Sequence, residues 1–125
     1  MSFTLKLITL IPAIVFLIIG IGWVLTPESV APNFGMTVFT GLGLSSQIGD
    51  LGSYFISIAL MIIYAVKTNN VNWLYPPILL LLLTALFRTL ATLIHGAPFA
   101  IDMIASEIIF SGILYSAIYK SNDRE

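Results

Sequence analysis

Long runs of apolar residues, separated by segments that contain polar residues, prolines or glycines, occur four times along the chain. They cover about residues 5–25, 48–66, 73–94 and 99–119. A helix that rises 1.5 Å per residue needs about 20 residues to cross the roughly 30 Å hydrocarbon core of a bilayer. Each run is close to that length. The pattern therefore predicts four membrane-spanning helices.

The segments between the runs predict how these helices are arranged. Residues 67–72 and 95–98 form short links, which favour antiparallel neighbours. The link 26–47 is longer and mixes prolines and glycines with Phe34, Met36 and Phe39, which favours a segment lying against the membrane face of the bundle. The predicted fold class is all-α: a polytopic membrane protein whose single domain, 1–125, is a four-helix antiparallel transmembrane bundle.

Composition and charge support a protein whose main partner is the lipid bilayer. Apolar residues make up 58% of the 125 residues and charged residues 9%, against about 25% charged residues in an ordinary soluble domain. The chain has five basic and six acidic residues, which excludes the strongly basic surface of a nucleic-acid binder. It has no cysteine, which excludes disulfides and thiolate chemistry.

The basic residues outside the predicted spans indicate the orientation. Lys6, Lys67, Lys120 and Arg124 fall on the side that holds both termini and the second link. The first link and the turn at 95–98 contain no lysine or arginine. Lysine and arginine are enriched on the cytoplasmic side of membrane proteins. We therefore expect a multi-pass protein of the inner (plasma) membrane with both termini in the cytoplasm.

Ionisable residues within the spans, or at their outer ends, form a candidate polar cluster. Arg88 lies about 10 Å deeper than His95, at 1.5 Å per residue, and Glu107 lies at nearly the same depth on the next helix. Asp50 and Asp102 open the second and fourth spans. A charged residue inside a bilayer is costly unless it faces the bundle interior and is paired. We therefore predict an ion pair between Arg88 and Glu107 within an outer-half cluster.

Helical spacing extends this cluster along two helices. In the second span one helical face carries Asp50, Ser53, Tyr54, Ser57, Met61 and Tyr64. In the third span the corresponding face carries Thr84, Arg88, Thr92 and His95. We expect both faces to point into the bundle. The candidate ligand-binding or structural polar cluster is therefore Asp50, Tyr54, Arg88, His95, Asp102 and Glu107.

Each of these residues also has a purely structural interpretation. The Arg88–Glu107 pair is equally suited to fixing the register of two helices. Asp50 and Asp102 are suited to capping helix N-termini, and His95 to ending a helix at the membrane interface. One histidine with separated carboxylates is a poor transition-metal ligand set. We expect no metal site, no cofactor and no catalytic residues.

Several of the same residues occur in a combination known from a protein family. The chain resembles the DoxX-like superfamily in five features: Gly20-x-Gly22 with a proline soon after, Asp50, Arg88, the His95-Gly96-x-Pro98 turn and Glu107. The resemblance covers about residues 10–118 and is closest to the bacterial family catalogued as domain of unknown function 4345. The family's Asp-x-Arg is Asp50-Leu51-Gly52 here. The resemblance implies a four-helix membrane bundle and, from some relatives, an assembly factor or accessory subunit.

Three functions stay open from the sequence. The first is a non-catalytic accessory or assembly factor, acting as a homo-oligomer or with a larger membrane-protein partner. The second is a binding protein or enzyme for a lipophilic small molecule, which would use the outer-half polar cluster. The third is a transporter or proton pathway, which the almost purely apolar inner half disfavours. The small size of the chain favours the first of these functions. It also favours a non-catalytic role over an enzyme.

Overall fold

The computed structural model describes residues 1–123, and every regular element within them is helical. Four helices are long and apolar enough to cross a membrane: α1 (Phe3–Leu25), α2 (Gly41–Thr68), α3 (Val71–His95) and α4 (Ile101–Asn122). The predicted all-α fold class is confirmed. Four candidate transmembrane helices indicate a multi-pass membrane protein.

Helix α2 begins one to two turns earlier than predicted. It starts at Gly41 rather than at residue 48, so the first link covers 26–40 instead of 26–47. Gly41 has a positive φ of 59° and follows the extended residue Thr40. Glycine has a low helix propensity, and the glycines at 41 and 43 therefore resemble link residues in the sequence. The other boundaries lie within one helical turn of the prediction.

A turn of π-helix interrupts α2. It spans Ile48–Gly52, between the α-helical parts Gly41–Gln47 and Ser53–Thr68. Such single π turns within α-helices occur frequently at functional sites. Asp50 lies in this turn, well inside α2, so the prediction that it opens or caps the helix is wrong.

The helices pack as two pairs, α1 with α2 and α3 with α4. Gly20 allows α1 to approach α2 closely, because a Cβ at this position would lie only 2.7 Å from Cγ1 and Cδ1 of Ile56. The two pairs meet along a core of buried apolar side chains contributed by all four helices, among them Phe16, Ile58, Leu81 and Leu114.

The link 26–40 is fastened to α1 and α2. Phe34 packs against Trp23 and Phe55, with ring centroids 6.0 and 5.4 Å apart. The buried side chain of Gln47 accepts a hydrogen bond from the Phe39 N–H and donates one to the Thr37 carbonyl, both at 2.9 Å. The apolar link therefore packs on the bundle, as its composition predicts.

The two ends of the bundle differ in charge. The Met1 amine donates to Oδ1 of Asn69 at 2.7 Å, which places the start of α1 beside the α2–α3 turn. We call this the lysine end, because it also carries Lys6, Lys67 and Lys120. The opposite end, with the link 26–40 and the 96–100 turn, is the link end and contains no lysine or arginine. Arg124, which the orientation argument also used, lies outside the described residues.

Candidate functional site

Arg88 and Glu107 form an ion pair between α3 and α4. Nε of Arg88 donates to Oε1 of Glu107 at 2.6 Å. The Glu107 side chain is 10% exposed and the Arg88 side chain 26%. The two residues lie about 10 Å from the link ends of their helices, at 1.5 Å per residue. The predicted pair is therefore present, and it is the one salt bridge within residues 1–123.

Neither member of this pair uses its full hydrogen-bonding capacity. Oε2 of Glu107 is buried and has no hydrogen-bond partner among the described residues. A guanidinium group carries five N–H donors, and within residues 1–123 Arg88 donates only through Nε. A buried polar atom without a partner costs about 1–3 kcal/mol. Within residues 1–123 the ion pair therefore leaves one carboxylate oxygen without a hydrogen bond and several guanidinium donors unused.

A cavity of about 250 Å³ lies beside the ion pair, and all four helices contribute to it. Its polar lining consists of Tyr54, Arg88, Ser106 and Glu107. The rest of the lining is apolar and comes from Val15, Phe16, Ile19, Phe34, Phe55, Leu81, Met103 and Phe110. The cavity is therefore an apolar space with one ionic contact point.

Four phenylalanine rings form the aromatic part of this lining. The Phe16 ring stacks on Phe55 at a centroid distance of 5.8 Å and meets Phe110 edge-on at 5.2 Å. Phe34, from the link, packs on Phe55 at 5.4 Å. Such ring pairs stabilise one another beyond the area they bury. Residues from α1, α2, α4 and the link thus hold one continuous aromatic surface.

A second cavity of about 210 Å³ adjoins the first and shares Phe34, Tyr54, Phe55 and Arg88 with it. Asp50 and Thr84 also line this second cavity. The Thr84 hydroxyl donates to the Leu80 carbonyl at 2.7 Å and shares a 2.8 Å hydrogen bond with the Tyr54 hydroxyl. Arg88 therefore lies between a space that Glu107 lines and one that Asp50 lines.

The structure brings four of the six predicted cluster residues together. Tyr54, Arg88 and Glu107 line the first cavity, and Asp50 lines the second with Tyr54 and Arg88. His95 and Asp102 are not part of this cluster, since both are exposed and line neither cavity. His95 ends α3 before Gly96, which has a positive φ. Asp102 lies in the first turn of α4, where the helix dipole favours a carboxylate.

Most of the predicted polar face of α2 does not point inward, although Tyr54 lines both cavities. Asp50, Ser53, Ser57 and Tyr64 are exposed, whereas the buried residues of the α-helical part are Phe55, Ile58, Ala59, Ile62, Ala65 and Val66. The hydroxyl of Ser53 donates to the Asp50 carbonyl of its own helix at 3.3 Å. A hydroxyl that bonds to its own backbone in this way needs no partner inside the bundle. The serine positions of α2 therefore do not mark its inward face.

No family model, no curated protein and no solved structure matches this chain. The relation to the DoxX-like superfamily therefore stays a prediction based on the residues named above. The geometry of the two cavities and of the Arg88–Glu107 pair carries the argument for function.

Proposed function

We propose that this protein binds a lipophilic small molecule in the 250 Å³ cavity, with Arg88 and Glu107 as its polar contacts. The observation that supports this function is a largely apolar cavity bordered by an ion pair with unused hydrogen-bonding groups. Small-molecule sites typically combine apolar walls with a few placed polar groups. The cavity beside Arg88 and Glu107 has this combination, which supports a bound small molecule.

The same observation ranks binding above a purely accessory role. In an assembly factor whose cluster is only structural, the polar side chains would satisfy one another. Oε2 of Glu107 instead has no partner within residues 1–123, and most Arg88 donors are unused there. An accessory or assembly role for a membrane-protein partner stays a second hypothesis, and a protein that co-purifies with this chain would support it.

Two substitutions on α1 separate a cavity ligand from lipid bound to the outside. Val15 lines the cavity, whereas its neighbour Ile14 is 56% exposed. We expect native mass spectrometry of protein extracted gently from its own membrane to show a retained small molecule. Val15→Trp fills the cavity and should abolish this extra mass, whereas Ile14→Trp should retain it. Equal retention by both variants, or no retained molecule in the unmodified protein, would contradict a cavity ligand.

The proposed location is the inner (plasma) membrane, with the lysine end in the cytoplasm. The support is the uneven charge of the two ends: Lys6, Lys67 and Lys120 lie at one end, and the link end has neither lysine nor arginine within residues 1–123. This orientation places the link and the nearby cavity towards the outer leaflet.

Reporter fusions test this orientation. A green fluorescent protein fused after Glu125 should fluoresce, and alkaline phosphatase inserted beside the exposed Asn33 of the link should be active. The reciprocal fusions, with the two reporters exchanged, should both be inactive. An active phosphatase after Glu125 would show that the termini are not in the cytoplasm.

A further inference from the structure

We infer that the ligand is an uncharged lipophilic alcohol whose hydroxyl group contacts both Arg88 and Glu107. This inference rests on the proposed function and adds the chemical class of the ligand. It follows from three properties of the cavity: the charge of its lining, the hydrogen-bonding groups that are left unused, and its size.

The charge of the lining disfavours an ionised headgroup. Arg88 and Glu107 already neutralise each other through the 2.6 Å ion pair. A ligand carboxylate would compete with Glu107 for the guanidinium and would lie near Asp50, which lines the adjoining cavity. A ligand ammonium group would compete with Arg88 for Glu107, the carboxylate that lines the first cavity. Because an uncompensated charge in a low-dielectric site is expensive, a neutral headgroup fits best.

The unused hydrogen-bonding groups favour a neutral headgroup that both donates and accepts, and a hydroxyl is the smallest such group. Arg88 has donors to spare, and the carboxylate of Glu107, which lines the cavity, accepts only one side-chain hydrogen bond within residues 1–123. A hydroxyl group has one O–H donor and two acceptor lone pairs, so a single group serves both residues. A ketone or an ether only accepts hydrogen bonds, so it could serve Arg88 but not the carboxylate of Glu107.

The size and composition of the lining describe the hydrocarbon part of the ligand. The volume of about 250 Å³ compares with about 150 Å³ for a cavity that holds benzene. A body of roughly ten carbon atoms, such as two fused rings, therefore fits. The ring edges and faces of Phe16, Phe34, Phe55 and Phe110 favour a flat or cyclic body over a flexible straight chain.

Four probes with the same naphthalene body test this inference: 2-naphthalenemethanol, its methyl ether, 2-naphthoate and 2-(aminomethyl)naphthalene. Each is tritiated, and its binding to the full-length protein in nanodiscs is measured by scintillation proximity, with empty nanodiscs as background. We expect the alcohol to bind tightest. The ether should bind about tenfold more weakly, the factor expected for one unmade hydrogen bond to a buried group. The acid and the amine should bind more weakly than the ether.

A substitution of the acceptor tests whether Glu107 causes this preference. Glu107→Gln replaces one carboxylate oxygen by an N–H donor, so the tenfold preference for the alcohol over the ether should disappear. Asp102→Asn is the matched control, because Asp102 lies on the same helix but is exposed and lines neither cavity. This control should retain the preference. If Glu107→Gln does not fold, the comparison of the four probes on the unmodified protein still tests the inference.

The experiment distinguishes a failure of the inference from a failure of the proposed function. Saturable binding that Val15→Trp abolishes, but without preference for the alcohol or with preference for the acid or amine, overturns the inference and leaves a lipophile-binding cavity. Absence of saturable binding for all four probes overturns the inference, and, together with native mass spectra that show no retained molecule, it also overturns the proposed function.

Discussion

Replacing Arg88 alone by methionine is expected to destabilise the protein by about 3–5 kcal/mol, because Glu107 would remain as a buried charge without its partner. Glu107→Leu alone should cost a similar amount, since it leaves the half-buried guanidinium of Arg88 unpaired. The double variant Arg88→Met/Glu107→Leu should lose far less, because neither member of the pair remains as an unpaired charge. The free energy of unfolding in mixed detergent micelles, measured for all four proteins, gives the coupling energy of the pair.

Lys67→Met provides the control for this comparison, because Lys67 is exposed at the lysine end and forms no salt bridge within residues 1–123. It should change the unfolding free energy by less than about 0.5 kcal/mol. If the double variant were as unstable as the single variants, the 2.6 Å contact would not be the interaction that stabilises α3 against α4.

Phe55→Ala is expected to cost about 3–5 kcal/mol, the usual range for removing a buried aromatic side chain. Phe55 is 6% exposed, packs against Phe16 and Phe34, and lines both cavities. Its loss should join the two cavities into one and weaken the retention of a ligand that fits the smaller space. Thermal unfolding in nanodiscs measures the stability, and native mass spectrometry measures the retained mass.

Phe87→Ala is the matched control for Phe55→Ala. Phe87 is also an aromatic residue of a long helix, but it is 61% exposed and lines neither cavity. Its replacement should cost less than about 1 kcal/mol, since little packing is lost. Similar losses of stability in the two variants would show that the Phe55 ring is not a central part of the core.

The four helices and the ion pair could be predicted because each follows from a strong physical constraint. A run of apolar residues about 20 long has few alternatives to a membrane span. A charge within such a span must find a partner at its own depth, which is enough to match Arg88 with Glu107. Depth alone does not place His95 and Asp102 in the cluster, because residues at helix ends are close to water and need no internal partner.

The aromatic lining of the cavity could not be predicted, because the outer faces of these helices are as apolar as their inner faces. Phe55 and Phe87 have the same side chain, yet one is buried and the other exposed. In a soluble protein, polar residues on the outer face would have distinguished the two positions. Phe34 carries even less signal, because it lies in the link and reaches the cavity only through the way that the link folds back.

The π turn at Ile48–Gly52 determines which residues of α2 share a face. Each residue of an α-helix turns the chain by about 100°, and a π turn accommodates one residue more than an α turn. The angular phase of Gly41–Gln47 is therefore offset by about one residue from that of Ser53–Thr68. Gln47, the last residue before the π turn, points towards Thr37 and Phe39 of the link. A helical wheel drawn for α2 thus needs two separate phase angles, one on each side of Asp50.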